Sequence, residues 1–236
     1  MSDWRWRDTI FCLLLAGAAV LLFGRVGDAL SYQWNWSAAW SYVMAIDDGW
    51  QSGLLLSGLA ASVRLLILSG VLAVCLGGLT AALALSSARC LRWLAAVYVE
   101  SLRNLPPIVF MFIFFFFAGV GLFDFLGEWA SQPVAGEWLR WLAGDAVRVE
   151  NFIGGALCLA IFESAFFAEI FRAGVLSVDN GQRDAARSMG LSRWQTQLLV
   201  IWPQMFRNIA APLAGQFILL IKDSAILSVI SVQELT

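Results

Sequence analysis

The sequence of 236 residues has no histidine, a single lysine and four scattered cysteines. Without histidine the chain lacks the usual metal ligand, general base and pH switch. The lysine, Lys222, follows Ile221, so the GxxxxGK[ST] loop that cradles nucleotide phosphates cannot occur, and ATP hydrolysis by that route is excluded. The cysteines show no CxxC or paired spacing, which favours small buried side chains over a metal site or disulfides.

Charge is also scarce, because only 14% of the residues are charged while 60% are hydrophobic. A soluble domain carries about 25% charged residues. This chain therefore has too little charge to cover a water-facing surface, and we expect its solvent to be lipid. Its net charge of −2 provides no basic field to attract nucleic acid.

Apolar stretches of about 20 residues indicate transmembrane helices, and the sequence predicts an all-α integral membrane protein with five of them. They cover residues 10–26, 62–85, 105–122, 152–175 and 209–232. The first lacks an A-x-A cleavage site and is long for a signal-peptide core, so we interpret it as an anchor. We expect two domains, namely residues 1–50 with the anchor helix and an outer segment, and residues 51–236 with the helical core.

The distribution of arginine predicts a cytoplasmic N-terminus. In that orientation ten arginines lie inside and three outside, whereas Arg64 and Lys222 fall within spans. The outward loop 123–151 is then acidic, and seven of the tryptophans crowd the outer segments, as expected of an interfacial belt.

Small residues recur at every fourth position on two of the predicted spans. At this spacing they allow helix backbones to approach closely inside a membrane. We therefore expect these two faces to pack. They are Ala73, Gly77 and Ala81 on the second span, and Ala156, Ala160, Ser164 and Ala168 on the fourth.

The segment 177–207 is too polar to span and carries the signals of two short helices at the inner face. Good helix formers end at Gly190, which predicts a stop. Ser192 then begins a second helix, with Gln195 completing a capping box. Pro203 is expected to end or kink that second helix. Taken alone, these residues leave open a simple amphipathic interfacial loop or a surface that presents small residues to a partner.

This segment resembles the EAA loop of permease subunits of bacterial ABC importers, whose pattern is EAA-x3-G-x9-I-x-LP. The chain places the matching residues at the same spacing, with Asp in place of Glu, Val in place of Ile and Trp in place of Leu. They are Asp184, Ala185, Ala186, Gly190, Val200, Trp202 and Pro203. The resemblance runs over residues 55–236, and further stretches resemble the polar amino acid branch of the family. These are residues 100–106, 168–174, 181–182, 220–224 and 234–235.

The resemblance implies a type I ABC importer-like bundle with a coupling helix that seats in a groove of a separate ATPase subunit. It implies charged contacts by Asp184, close seating by Ala185 and Ala186, and a sharp turn at Gly190 and Leu191. Two ATP-binding subunits would hold ATP and Mg, so that this chain needs no cofactor and is not an enzyme. A second permease, identical or paralogous, and a periplasmic amino acid-binding protein would complete the importer in the bacterial inner membrane.

Five spans from a cytoplasmic start would place Thr236 outside the membrane. Members of the resembled family usually continue with one more helix that returns to the cytoplasm. A sixth span is therefore expected in the intact protein.

Ionisable residues within spans are candidates for function. Glu163 lies near the middle of the fourth span, where a carboxylate costs at least about 2.5 kcal/mol. It is predicted to set substrate preference by pairing with an α-ammonium or a cationic side chain. The alternative is a structural pair with Arg64 or Lys222.

Other charges near the membrane have two interpretations each. Arg64 would either clamp a substrate carboxylate or extend to the outer interface. Lys222 and Asp223 are expected to break the fifth span and, with Ser224, to line the pathway or its outer gate. Two further groups are predicted to be structural, namely the pair Glu169 and Arg172 and an inner network of Glu100, Arg103 and Asn104.

The leading prediction is a permease subunit of an ATP-driven importer that moves polar amino acids into the cytoplasm by alternating access. The alternative is a stand-alone secondary transporter or channel, although the inverted repeats frequent in secondary transporters are not seen. A membrane enzyme lacks support, because the sequence has no HExxH, GxSxG or clustered cysteines.

Overall fold

The computed structural model describes residues 3–30, 35, 40, 42–45, 51–130, 132, 137 and 149–230. The chain forms two compact units, Met1–Gln51 and Ser52–Thr236. Residues 133–136 and 138–148 of the predicted acidic loop, and residues 234–235 of the resemblance, lie outside the described residues. The anchor and core roles assigned to the two predicted domains stay predictions.

The first unit contains helix α1 (Asp3–Leu30), within which Thr9–Leu22 forms an apolar stretch. Two strands of two residues each, β1 (Met44–Ala45) and β2 (Gln51–Ser52), pair as a minimal sheet.

The second unit is helical throughout its described residues after Gly53, apart from short connections. Two π-helical turns, Phe114–Ala118 and Gln197–Ile201, and a 3-10 helix, Ala225–Ile230, interrupt or extend its α-helices. The α-helices are α2 (Leu54–Ala84), α3 (Arg89–Arg103), α4 (Pro107–Ile113), α5 (Val120–Ala130), α6 (Val149–Leu176), α7 (Asn180–Ser188), α8 (Arg193–Thr196) and α9 (Trp202–Ser224).

Among the described residues, three helices are long and apolar enough to cross a membrane. They are Leu54–Ala84, Asn151–Leu176 and Arg193–Leu227, and the bent pair Arg89–Arg103 and Pro107–Phe117 gives a fourth if it crosses as one span. The all-helical membrane bundle is confirmed, whereas the count of five spans stays a prediction.

The two stripes of small residues, each predicted to pack closely on another helix, meet where α2 packs on α6. All seven residues of the stripes are buried. A Cβ added to Gly77 would lie 2.6 Å from Cβ of Phe167 and 2.9 Å from the carbonyl oxygen of Ser164, so only glycine permits this approach. α6 is the most buried of the three long helices.

The third predicted span, 105–122, is wrong as one continuous α-helix. Residues that precede proline are disfavoured in the α conformation, so the Pro106-Pro107 pair separates α3 from α4 with a bend of 108°. Beyond α4, the amide of Gly119 bonds to the carbonyl of Phe114 at 2.6 Å and closes a π-helical turn.

The last span begins at Arg193 rather than near residue 209, and of the two outcomes expected at Pro203, an end or a kink, the end of the loop's second helix is wrong. Proline lacks an N–H group and its ring collides with the carbonyl four residues earlier. The π-helical turn Gln197–Ile201 widens the backbone just before this position, and the helix passes through. The second loop helix, α8, is therefore the first turn of the final span.

Candidate functional site

A buried carboxylate lies at the contact between α6 and α9. The side chain of Glu163 is 1% exposed, and its Oε2 accepts a hydrogen bond of 2.5 Å from Nε2 of Gln216. Gln216 is itself buried on α9. This bond joins two of the long apolar helices, α6 and α9.

The second oxygen of Glu163 is left without such a donor. Oε1 is buried and accepts no hydrogen bond from a backbone, amide, hydroxyl or basic group among the described residues. The carboxyl of Asp223 lies beside Glu163 and interacts with it both by charge and by a side-chain hydrogen bond. Asp223 follows Gln216 by two turns of α9. The cluster of Glu163, Gln216 and Asp223 is therefore acidic and has one acceptor to spare; below it is called the acidic cluster.

The interpretation of Glu163 as half of a structural pair with Arg64 or Lys222 is wrong. Within the described residues the ion pairs are Glu169 with Arg172 and Asp184 with Arg187. Arg64 is exposed on α2, and Lys222 is exposed on α9. Neither side chain reaches Glu163 within ion-pair distance.

The break expected at Lys222 and Asp223 is also wrong, because α9 continues through both residues to Ser224 before it tightens into the 3-10 helix. Adjacent residues on a helix point about 100° apart, so Lys222 is exposed while Asp223 is half-buried. Ser224 is buried, and its hydroxyl donates to the carbonyl of Ile221 at 2.9 Å.

Tyr98 of α3 supports the acidic cluster from the other side of α6. Its hydroxyl lies 3.0 Å from the carbonyl oxygen of Ile161 and 2.6 Å from Oγ of Ser164, the residue after Glu163. The sequence reasoning missed Tyr98 and Gln216. A signal for Gln216 was present, since it is a lone amide within an apolar stretch of the last predicted span.

The second candidate site is the loop between α6 and α9, and its turn is closed by the backbone. Gly190 has φ +77°, in the left-handed region that favours glycine. Its amide donates to the carbonyl oxygen of Arg187 at 2.9 Å, and the amide of Leu191 donates to the carbonyl oxygen of Ala186 at 3.1 Å. These two bonds form a Schellman motif, the expected glycine-dependent end of a helix.

The second loop helix begins with the predicted capping box. The amide of Gln195 donates to Oγ of Ser192 at 3.3 Å, and the amide of Ser192 donates to Oε1 of Gln195 at 2.9 Å. α7 and α8 therefore form a helix–turn–helix whose turn is capped on both sides, called below the capped loop (residues 180–196).

The residues predicted to contact an ATPase differ in exposure. Asp184 and Ala185 are exposed, but Ala186 is completely buried against its own chain. The small size of Ala186 therefore serves internal packing, and close seating of a partner against its side chain is excluded in this structure. The capped loop and the turn after it expose large apolar side chains instead, namely Met189, Trp194, Leu199 and Trp202.

The capped loop is attached to both long helices. Val178, just after α6, is buried with Ile201, Met205 and Ile209 in one apolar cluster. Nδ2 of Asn208 donates to Oγ of Ser177 at 2.9 Å. The connection that leads from α6 into the capped loop is therefore fixed against α9.

Two predicted polar groups lie at this same end of α6. Glu169 and Arg172 form the expected pair, with bonds of 3.0 Å and 2.6 Å from the guanidinium. Asn104 bonds to Oε2 of Glu100 at 3.3 Å. Arg103 does not join that network, because its guanidinium lies over the ring of Phe166, 5.8 Å from the centroid.

Comparison with known proteins decides the family. The model of the "Binding-protein-dependent transport system inner membrane component" family matches residues 73–235. The chain belongs to this family. It is therefore a multi-pass inner membrane component of a transport system, in agreement with its long apolar helices.

Named members of this transport family and a solved structure share most of the chain. It is 37% identical over 141 residues to the "Probable glutamine ABC transporter permease protein GlnM" of Bacillus subtilis (strain 168), covering 60% of this chain and 54% of that protein. It is 32% identical over 207 residues to the "Glutamine transport system permease protein GlnP" of Escherichia coli (strain K12), covering 86% and 79%. The crystal structure of an amino acid ABC transporter with histidines matches with a TM-score of 0.59 and 33% identity, covering 78% of this chain and 74% of that one.

Proposed function

We infer that the chain is the permease subunit of an ABC importer for polar amino acids. The observation that carries this inference is the capped loop, which has the residues and spacing of a coupling helix and is attached to two long apolar helices. The named relatives are permease subunits of ABC amino acid transport systems. They support this function over a stand-alone transporter or channel.

The exposed side of the capped loop is the proposed contact with an ATPase subunit. Asp184 and Ala185 lie on it, together with the large apolar side chains of Met189 and Trp194. Large apolar side chains exposed on a polar segment favour a protein contact. ATP and Mg would be bound by two such subunits, and movement of the loop would then be passed to the spans.

The orientation and the remaining partners follow from the same proposal. The excess of arginine on one side supports a cytoplasmic N-terminus and a cytoplasmic capped loop. A periplasmic amino acid-binding protein would deliver the solute at the opposite face, and a second permease, identical or paralogous, would complete the pathway.

The acidic cluster is the proposed contact for the solute within the membrane. Oε1 of Glu163 is a buried acceptor that no backbone, amide, hydroxyl or basic group of the described residues satisfies, and the carboxyl of Asp223 lies beside it. An ammonium group, which every amino acid carries, would satisfy this acceptor. The end of α9 would line the solute pathway with Lys222, Asp223 and Ser224. Arg64 lies on the exposed face of α2 and would contact a solute or a second permease there.

The test is reconstitution of the complex purified from its native membrane, with mass spectrometry to name its subunits. Uptake of ¹⁴C-labelled L-glutamine, L-glutamate and L-arginine into proteoliposomes is then measured with ATP inside, outside or absent. The proposal expects an ATPase in the complex and uptake that requires ATP on the capped-loop side. ATP-independent uptake by this chain alone would establish the stand-alone alternative.

A further inference from the structure

The carboxyl end of α6 is capped by a residue from another helix. The last four carbonyls of a helix have no intrahelical donor, and a positive charge is favourable beside them. α6 carries no basic residue in its own last turn. Arg183 of α7 supplies one, because its Nη2 donates to the carbonyl oxygen of Val175 at 2.8 Å.

This contact joins a side chain to the backbone and does not depend on a matching acidic residue. The neighbouring Asp184 pairs with Arg187 at 3.6 Å on the exposed side of α7. Nε of Arg183 is buried and has no acceptor among the described residues. The hydrogen bond that Arg183 makes is thus to α6 and not within α7.

The capped loop is attached to the long helices by two different means. The residue between α6 and the loop, Val178, belongs to an apolar cluster that contains residues of both α6 and the last long helix. The hydrogen bond that joins α7 itself to α6 is donated by the guanidinium of Arg183. Losing the Arg183 side chain should therefore loosen α7 from the end of α6 while leaving the apolar cluster in place.

We propose that Arg183 is a positioning residue for coupling, which fixes α7 to the carboxyl end of α6 so that motion of the capped loop reaches the acidic cluster. Val175 follows Glu163 by 12 residues, or about 18 Å along the helix. The inference rests on the proposed function, since it names the residue through which the proposed contact with the ATPase acts on the solute pathway.

The main experiment compares the reconstituted complex with Arg183→Ala, Arg183→Lys and the control Arg89→Gln. Arg89 is an exposed arginine at the start of α3, so its loss changes charge without touching the loop. ATP hydrolysis and uptake of a mixture of ¹⁴C-labelled L-glutamine and L-arginine are measured together. Arg183→Ala should lower solute taken up per ATP by about fivefold or more, the scale of a typical coupling free energy.

The two other variants sharpen the result. Arg183→Lys keeps the charge and one donor, so it should recover part of the lost ratio even if the alanine variant is poorly folded. Arg89→Gln should match wild type. An unchanged ratio in Arg183→Ala, or loss of the ATPase from the purified complex, would overturn the proposal, because the first denies coupling and the second indicates a docking role.

A second readout does not depend on transport. Hydrogen exchange is followed in peptides covering residues 173–190 of the purified chain. Arg183→Ala should exchange faster there than wild type or Arg89→Gln, and equal exchange would refute the link. If wild type shows no ATP-dependent uptake, the proposed function fails, whereas the exchange result still decides whether Arg183 joins the two helices.

Discussion

The acidic cluster lies where α6 contacts α9, and the capped loop lies between these two helices in the sequence. The two regions differ in how completely their polar groups are hydrogen-bonded. In the capped loop, the turn is satisfied by a Schellman motif and a capping box. In the acidic cluster, a carboxylate oxygen of Glu163 is buried and accepts no hydrogen bond from a backbone, amide, hydroxyl or basic group of the described residues. The turn of the loop is capped on both sides, whereas the acidic cluster leaves a carboxylate oxygen without a donor in the described part of the chain.

This difference separates a rigid body from a binding site. A segment that transmits force must keep its shape, and satisfied caps achieve that at low cost. A site that accepts a charged group needs an acceptor that its own protein leaves unused. The carboxylate oxygen without a donor is therefore best explained by binding of a ligand, and the hydrogen-bonded caps by a need for the loop to stay rigid.

The largest expected effect comes from breaking the packing that holds the acidic cluster. Gly77→Leu would place its Cβ against the backbone of Ser164, next to Glu163. Overpacking typically costs about 1–3 kcal/mol and more when backbone must move, so we expect loss of the folded chain, measured as yield and thermal midpoint in detergent. Gly78→Leu is the matched control, because nothing lies within 4 Å of its added Cβ. Equal yields of the two variants would refute the α2–α6 contact.

The next largest effect should fall on the solute. Glu163→Gln keeps the shape of the side chain but removes its charge, and hydrogen bonds to charged groups contribute about 1.5–3 kcal/mol. We expect uptake of L-arginine or L-glutamine to fall by about 10–100-fold while ATPase association is retained. Glu163→Ala should likewise alter selectivity or transport without abolishing assembly. Normal uptake kinetics for all tested amino acids in both variants would remove Glu163 from the pathway.

A smaller effect is expected from straining the capped loop. At φ +77° a side chain costs about 1–2 kcal/mol, and a β-branched one suffers most. Gly190→Val should reduce coupled uptake by about 5–30-fold. Gly190→Asn, whose side chain tolerates this conformation, should stay close to wild type. If the two variants couple equally well, the turn geometry is irrelevant to transport.

The smallest effect should come from Ser192→Ala, which removes half of the capping box. Loss of an N-cap costs about 1 kcal/mol, so hydrogen exchange near the start of α8 should rise by about fivefold while uptake changes little. The control is Ser188→Ala on α7, where the serine bonds only to the carbonyl of Asp184 within its own helix. A larger change from Ser188→Ala than from Ser192→Ala would contradict the capping role.

Local and periodic features were predictable from the sequence. The spacing of small residues predicted the contact around Gly77, and Ser192 with Gln195 predicted the capping box. Gly190 predicted the turn. Each depends on residues close in sequence or on a repeat along one helix, so a pattern is enough to reveal it.

Features that depend on a competition between local rules or on contacts between helices were not predictable. Pro203 indicated a helix end, but a π-helical turn absorbs the missing amide and the helix continues. The partner of Glu163 is Gln216, 53 positions away, and no local pattern joins them. Ala186 was assigned to a partner-facing surface by the resemblance of the motif, yet the step of about 100° from the exposed Ala185 places it inside.

The π-helical turn before Pro203 has a mechanical consequence. Because the helix passes through it, Arg193–Leu227 is a single rod of 35 residues, or about 52 Å at 1.5 Å per residue. If this rod pivots where Gln216 meets Glu163, the arm to Arg193 is about 35 Å long. A rotation of about 10° would then move the loop end by about 6 Å, as geometry requires of an arm that long. A large stroke at the ATPase would thus become a small displacement on the short arm beyond the pivot, where Asp223 lies about 10 Å from Gln216.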